Sequence, residues 1–217
     1  MKTVLRKYYF LFFSAVLFYA SCSEQPNEET IRVYASASNS YTYGRFAETI
    51  EILRSQNNFP PALLLRAKAE YFYGDLDKAE ESCRRAIRFR SSLMEAHFYL
   101  ARILFEKNDI AGAQAAIETL LADNPQDIRA LRFAAQLASE AGKYDDAVIL
   151  LDRAVEFSAE CAMVLLDRAR IRWILAGNNN AQAALEDLSR AKAMLPWDTP
   201  VLRSIINLEK TIREVMQ

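Results

Sequence analysis

Glycine, proline, cysteine and histidine are all scarce in this chain of 217 residues. Five glycines and six prolines leave few places for turns, and the abundance of Ala, Leu, Glu and Arg predicts helix throughout. The single histidine, His97, has no Cys/His cluster around it, so a metal site has no support. Of three cysteines, we expect Cys83 to be a buried thiol and Cys161 a free loop thiol.

An excess of charge of either sign is also missing. The net charge is −1, so nothing global argues for a nucleic-acid partner. No glycine-rich phosphate loop occurs, and one histidine cannot supply a recognisable catalytic arrangement. The acidic pair at Asp145 and Asp146 is interpreted as charge at a helix start. The prediction is a folded protein that is not an enzyme and needs no cofactor, with enzymatic activity the most remote alternative.

The longest apolar run, residues 8–20, has thirteen residues, which is short for a membrane-spanning helix of about 20. It follows the basic segment MKTVLRK and precedes small residues and the polar stretch SCSEQPNEET. This order is typical of a secretory signal, here residues 1–21. The rest of the chain has 24 basic and 28 acidic residues.

The end of this run, Tyr19-Ala20-Ser21-Cys22, resembles a bacterial lipobox, with Tyr19 in place of the usual Leu. The resemblance implies a diacylglyceryl group on Cys22, which would anchor the protein to a membrane without spanning it. Residues 22–29 would then form a flexible polar tether. The alternative is an ordinary secreted protein whose signal ends near an unrelated cysteine.

A period of 34 residues runs through the remainder of the chain. GDLDKA begins at Gly74, NDIAGA at Asn108 and GKYDDA at Gly142. Small residues recur with the same spacing before these turns, at Ala67, Ala101, Ala135 and Ala169. Others follow the turns, at Ala79, Ala113, Ala147 and Ala184, the last after an interval of 37 residues.

These offsets resemble the tetratricopeptide repeat, a helix–turn–helix unit of 34 residues. The resemblance implies an all-α, right-handed superhelical solenoid of antiparallel helix pairs, with about five repeats and a C-terminal capping helix. The array would occupy residues 30–198, and the cap residues 199–217. Arg66 and Arg168 stand where the family usually has Leu. The units are expected near 30–59, 60–93, 94–127, 128–161 and 162–198.

In this family the first helices line a concave surface on which partners bind. Carried over by position, the groove would hold a ladder of positive charge, at Lys68, Arg102 and Arg170, between aromatic residues. An acidic and apolar segment would suit it. The alternative is that the aromatic residues only pack and the basic residues are solvated. The predicted groove residues are Lys68, Tyr71, Phe72, Phe98, Arg102, Phe105, Arg132, Arg170 and Trp173.

Taken together, these features predict a membrane-tethered scaffold of the bacterial cell envelope that recruits a protein partner. Such a protein would be exported across the inner membrane. It would be lipid-anchored to the inner or outer membrane, facing the periplasm or the surface. The second hypothesis is an accessory lipoprotein that binds an apolar solute for a transporter.

Overall fold

A computed structural model describes residues 26–157, 161–175, 178–195 and 199–216. Over these ranges the chain forms eleven helices and no strand. The predicted signal segment and Cys22 lie outside the described residues. The helices are α1 (Glu28–Thr42), α2 (Phe46–Ile52), α3 (Pro60–Tyr73), α4 (Leu76–Phe89), α5 (Met94–Glu106), α6 (Ile110–Asp123), α7 (Ile128–Glu140), α8 (Tyr144–Phe157), α9 (Ala162–Ile174), α10 (Asn178–Ala193) and α11 (Pro200–Val215).

Short polar residues place the helix starts. Asp75 and Asp109 accept hydrogen bonds from backbone N–H groups in the first turns of α4 and α6. Asp127 and Thr199 cap α7 and α11 in the same way. Each cap satisfies a backbone donor that has no partner within the helix.

Gly74 caps the C-terminal end of α3, and its φ of 96° is a left-handed conformation that glycine adopts without steric cost.

Consecutive helices pack as antiparallel pairs, α3 with α4, α5 with α6, α7 with α8 and α9 with α10. The periodic alanines lie at these contacts, where small side chains let two helix backbones approach. All eight are essentially inaccessible, at 0–2% exposure: Ala67, Ala79, Ala101, Ala113, Ala135, Ala147, Ala169 and Ala184. The all-α solenoid of helix pairs is therefore confirmed.

The first pair differs from the others because α2 has only seven residues. Ala37 and Leu53 are fully buried and form a small core with Ala62 and Leu65 of α3. The segment after α2 thus covers α3 in place of a second full-length helix.

At the other end of the array, α11 buries Ile205 and Ile212 against α9 and α10. Its opposite face carries Arg203, Asn207 and Lys210, all exposed. An apolar inner face and a polar outer face are what a terminal cap of a repeat array requires.

The two arginines at family Leu positions take part in polar networks between helices. Arg66 Nε donates to Ser82 Oγ at 3.2 Å and lies 3.6 Å from the Glu70 carboxylate. Arg168 donates to Asp187 at 2.8 Å and to Asp152 at 2.7 Å. Buried hydrogen bonds and ion pairs therefore replace apolar packing in these two units.

Both described cysteines are free thiols, as predicted. Cys83 is fully buried in α4, and burial raises the pKa of its thiol to about 12. Cys161 is partly exposed and immediately precedes α9. A buried thiol with a raised pKa is a packing group and a poor nucleophile.

Within the ranges given above, no helix is both long and apolar enough to cross a membrane.

Candidate partner-binding groove

A groove of about 710 Å³ runs across three first helices, α5, α7 and α9. These three helices supply all of its lining, and the second helices of the pairs supply none. The lining residues are Phe98, Arg102, Phe105, Glu106, Arg129, Arg132, Phe133, Ala135, Gln136, Ser139, Glu140, Asp167, Arg170, Ile171 and Ile174. Four arginines and three carboxylates thus surround an apolar interior.

Three phenylalanines form the apolar wall between α5 and α7. The ring of Phe133 lies 6.0 Å from that of Phe98 and 5.7 Å from that of Phe105, both in edge-on geometry. Arg129 covers Phe98 with its guanidinium carbon 5.2 Å from the ring centroid. Edge-to-face contacts hold the three rings in fixed positions and leave them half-buried along the groove.

Arg102 stands beside this wall and is held by tyrosines. Its Nη2 donates to the hydroxyl of Tyr71 at 3.1 Å, and its guanidinium carbon lies 4.9 Å from the Tyr71 ring centroid and 5.7 Å from that of Tyr99. Among the described residues, no carboxylate oxygen lies within 4 Å of Arg102. Arg102 is therefore pre-oriented and half-buried without a direct ion-pair partner.

The cations nearer the C-terminal end are paired internally. Arg132 Nη2 lies 2.7 Å from Asp167 Oδ2, and Arg170 lies 3.6 Å from the other oxygen of the same carboxylate. One aspartate thus joins α7 to α9 and shares its charge between two arginines. Of the groove cations, these two are less available to an anionic ligand than Arg102.

Lys68 and Tyr71, predicted as groove residues, lie beyond the lining, on α3. Lys68 Nζ lies 2.6 Å from Glu95 and 4.9 Å from the Tyr99 ring centroid, and its side chain is only 16% exposed. Tyr71 supports Arg102, as described above. In the same region, burial raises the pKa of Tyr41 to about 12, and the neighbouring Tyr99 adds to this increase. This end of the first-helix surface therefore satisfies its own polar groups.

Phe72 and Trp173 are also outside the groove. Phe72 is 46% exposed and stacks on Phe46, with ring centroids 5.3 Å apart. Trp173 packs against the core formed by α9, α10 and α11. The structure brings five of the nine predicted residues together in one groove, namely Phe98, Arg102, Phe105, Arg132 and Arg170.

Phe133 and Asp167 are among the lining residues that sequence reasoning missed. They occupy the same position of successive units, where α5 has Tyr99. The position one residue earlier, at Phe98 and Arg132, was selected instead. The adjacent aromatic pair Phe98-Tyr99 could have indicated this, because it suggests that both positions of the unit lie on the surface formed by the first helices.

His97 lies in a separate groove of about 610 Å³, lined by α4, α5 and α6. Its Nε2 is 3.0 Å from the Ser91 carbonyl oxygen, and the side chain is partly buried. No cluster of three or more metal-ligating side chains occurs in the described part of the chain.

Comparisons with known proteins agree with this architecture. The tetratricopeptide repeat family model matches residues 73–137 and 104–171. The chain is similar in fold to MamA of Desulfovibrio magneticus RS-1, with a TM-score of 0.67, 15% identity, and 77% of this chain and 96% of that chain covered. No curated protein matches the sequence.

Two further solved structures are similar. One is TTC0263, a thermophilic TPR protein of Thermus thermophilus, with a TM-score of 0.66, 14% identity and coverage of 82% and 97% of the two chains. The other is YrrB, described as a TPR protein with an unusual peptide-binding site, with a TM-score of 0.63, 13% identity and coverage of 82% and 90%. The repeat model thus covers residues 73–171, and the similar structures share the fold of this chain.

Proposed function

We propose that this protein is a non-enzymatic scaffold, tethered to a membrane of the bacterial cell envelope, that captures a protein partner in the groove of α5, α7 and α9. The observation that carries the proposal is Arg102, which is fixed by two tyrosines beside a phenylalanine wall and has no direct ion-pair partner in the described structure. Arginine and aromatic side chains are the usual anchors of protein interfaces.

Protein partners are the usual ligands of tetratricopeptide repeats, and the similar fold YrrB is described as having a peptide-binding site. The charged lining argues for the same class of ligand here. An apolar solute would have to displace water from Arg102, Glu106 and Glu140 without offering them hydrogen bonds, and that desolvation is unfavourable. The solute-binding accessory is therefore the second candidate, and co-purified apolar ligand would support it.

Capture in the native cell tests the groove. A photocrosslinking residue at Phe105 should form an adduct with one protein partner, whereas the same residue at Thr119, exposed in the separate groove of His97, should not. Arg102→Glu should reduce the adduct by about tenfold or more, because charge reversal replaces attraction of an anionic ligand group with repulsion. A tenfold loss corresponds to about 1.4 kcal/mol of binding free energy.

Arg213→Glu is a matched control, since Arg213 is exposed on α11, far along the chain from the groove. A partner captured equally well from positions 105 and 119, or unaffected by Arg102→Glu, would contradict the proposed site.

The membrane tether is proposed from the resemblance of residues 19–22 to a lipobox, and the envelope location follows from it. Cys22→Ala should move the protein from the detergent phase to the aqueous phase on phase partitioning, because a thioether-linked lipid supplies the anchor. Unchanged partitioning would rule out the lipid at Cys22, and mass spectrometry of the N-terminal peptide would report its presence directly.

A further inference from the structure

We propose that the groove selects its partner by the order of charges along the bound segment: an acidic residue, then an apolar residue, then a basic residue. This inference rests on the proposed function, because it specifies the ligand of the same groove. It follows from the way charge changes along the first helices, from their starts towards their ends.

Arginines occupy the early and middle levels of the groove. Arg129 and Arg132 lie in the first two turns of α7, and Arg102 lies one turn before the end of α5. Arg132 is paired with Asp167, and Arg129 lies 3.3 Å from Asp127, its own helix cap. Arg102 is the lining arginine without a carboxylate within 4 Å in the described ranges. The strongest place for a ligand carboxylate is therefore beside Arg102.

Carboxylates occupy the late level. Glu106 and Glu140 are the last residues of α5 and α7, stand 34 positions apart in the repeat, and are both exposed. The hydroxyl of Tyr71 donates to Glu106 at 3.5 Å, and over the described residues neither glutamate has a cation within 4 Å. Two exposed carboxylates without an ion-pair partner in the described ranges favour a cationic group at this edge of the groove.

The apolar wall connects the two levels. Phe133 contacts Phe98 at one end and Phe105 at the other, so the rings extend from the level of Arg132 to that of Glu140. Arg102, the proposed seat of the acid, lies four residues before Glu106, which corresponds to about 6 Å along the helix axis. An extended segment covers that distance in about two residues, with an apolar side chain on the rings between its two charges.

A segment of opposite order would place its base beside Arg102 and its acid beside Glu106 and Glu140. Like charges brought together in a partly desolvated groove are unfavourable, so both ends would oppose binding. The fixed positions of Arg102 and Phe133 make this a property of the site and not of flexible surface side chains.

Selection from a random peptide library displayed on phage tests the inference, with the full chain held in detergent micelles. Peptides retained by the native protein should carry Asp or Glu about two residues from Lys or Arg, with an apolar residue between. One synthetic peptide of this class should bind about tenfold more tightly than the same peptide with its two charges exchanged. Arg102→Glu should abolish the preference for the acid, and Glu106→Lys with Glu140→Lys the preference for the base.

Ser139→Trp, which should fill the groove, and Phe133→Ala distinguish a failure of the charge order from a failure of the groove itself, with circular dichroism confirming that each variant is folded. Peptides that both variants lose but that show no charge order overturn this inference and leave the groove as the binding site. Enriched peptides that neither variant affects, or an absence of enriched peptides, contradict the groove itself. Arg213→Glu should change none of these results.

Discussion

Replacing Asp187 with alanine is expected to lower the free energy of unfolding by about 3–5 kcal/mol. Asp187 is 2% exposed and accepts hydrogen bonds from Arg168 at 2.8 Å and from Arg172 at 2.9 Å. Arg168 is itself only 7% exposed. Removing the shared carboxylate leaves a buried guanidinium with Asp152 as its remaining carboxylate partner in the described structure.

The carboxylates compensate the buried charge of Arg168. Burial would lower the pKa of Arg168, but the hydrogen bonds and charges of Asp187 and Asp152 outweigh it and raise the pKa. The network is thus a stabilising feature only when complete, and loss of one member costs more than the intact network contributes.

Chemical unfolding of the full chain in detergent measures the effect, with hydrogen exchange of α9 and α10 as a local readout, since repeat arrays can open unit by unit. Glu214→Ala is the control: its pair with Lys210 has side chains 63% and 73% exposed, and such pairs contribute about 0–1 kcal/mol. A loss for Asp187→Ala no larger than that of the control would show that the buried network is not formed.

Leu131→Ala is the second large effect, an expected loss of about 2–5 kcal/mol. Leu131 is fully buried in α7, in a core with Leu151 of α8 and Val164 of α9. Truncation leaves a cavity where three consecutive helices meet, and neighbours held by close alanine contacts have little freedom to fill it.

The repeat itself supplies a matched control for Leu131. His97 stands 34 residues earlier, at the equivalent position of α5, but is partly exposed and contacts the Ser91 carbonyl. We expect His97→Ala to cost about 1 kcal/mol, the value of one typical hydrogen bond. Equal losses for the two substitutions in chemical unfolding would contradict the described burial.

The fold could be predicted from the sequence because close helix crossings demand small residues. Ala101 and Ala135 recur at the period of the repeat, and both are inaccessible where helices cross. That requirement is local and recurs in each unit, so the small residues appear several times in a single sequence at the same spacing. The turn at Gly74 is predictable for a similar local reason, because its left-handed backbone conformation favours glycine.

The groove was only partly predictable, because adjacent units use equivalent positions differently. Lys68, Arg102 and Arg170 share one repeat position, yet Lys68 pairs with Glu95, Arg170 shares Asp167, and Arg102 contacts tyrosines. In sequence, the partner lies 27 residues from Lys68, 3 residues from Arg170 and 31 residues from Arg102. The repeat therefore predicts which helix face a residue occupies, whereas the availability of its charge depends on contacts between units.

The affinity of the captured partner for purified native protein and for its Arg102 variants tests the central claim most directly. We predict that Arg102→Glu raises the dissociation constant by about 10- to 100-fold, that Arg102→Lys raises it less because charge is kept but the planar fork is lost, and that Arg213→Glu leaves it unchanged. Equal dissociation constants for the native protein and Arg102→Glu would contradict the claim that this groove binds the partner.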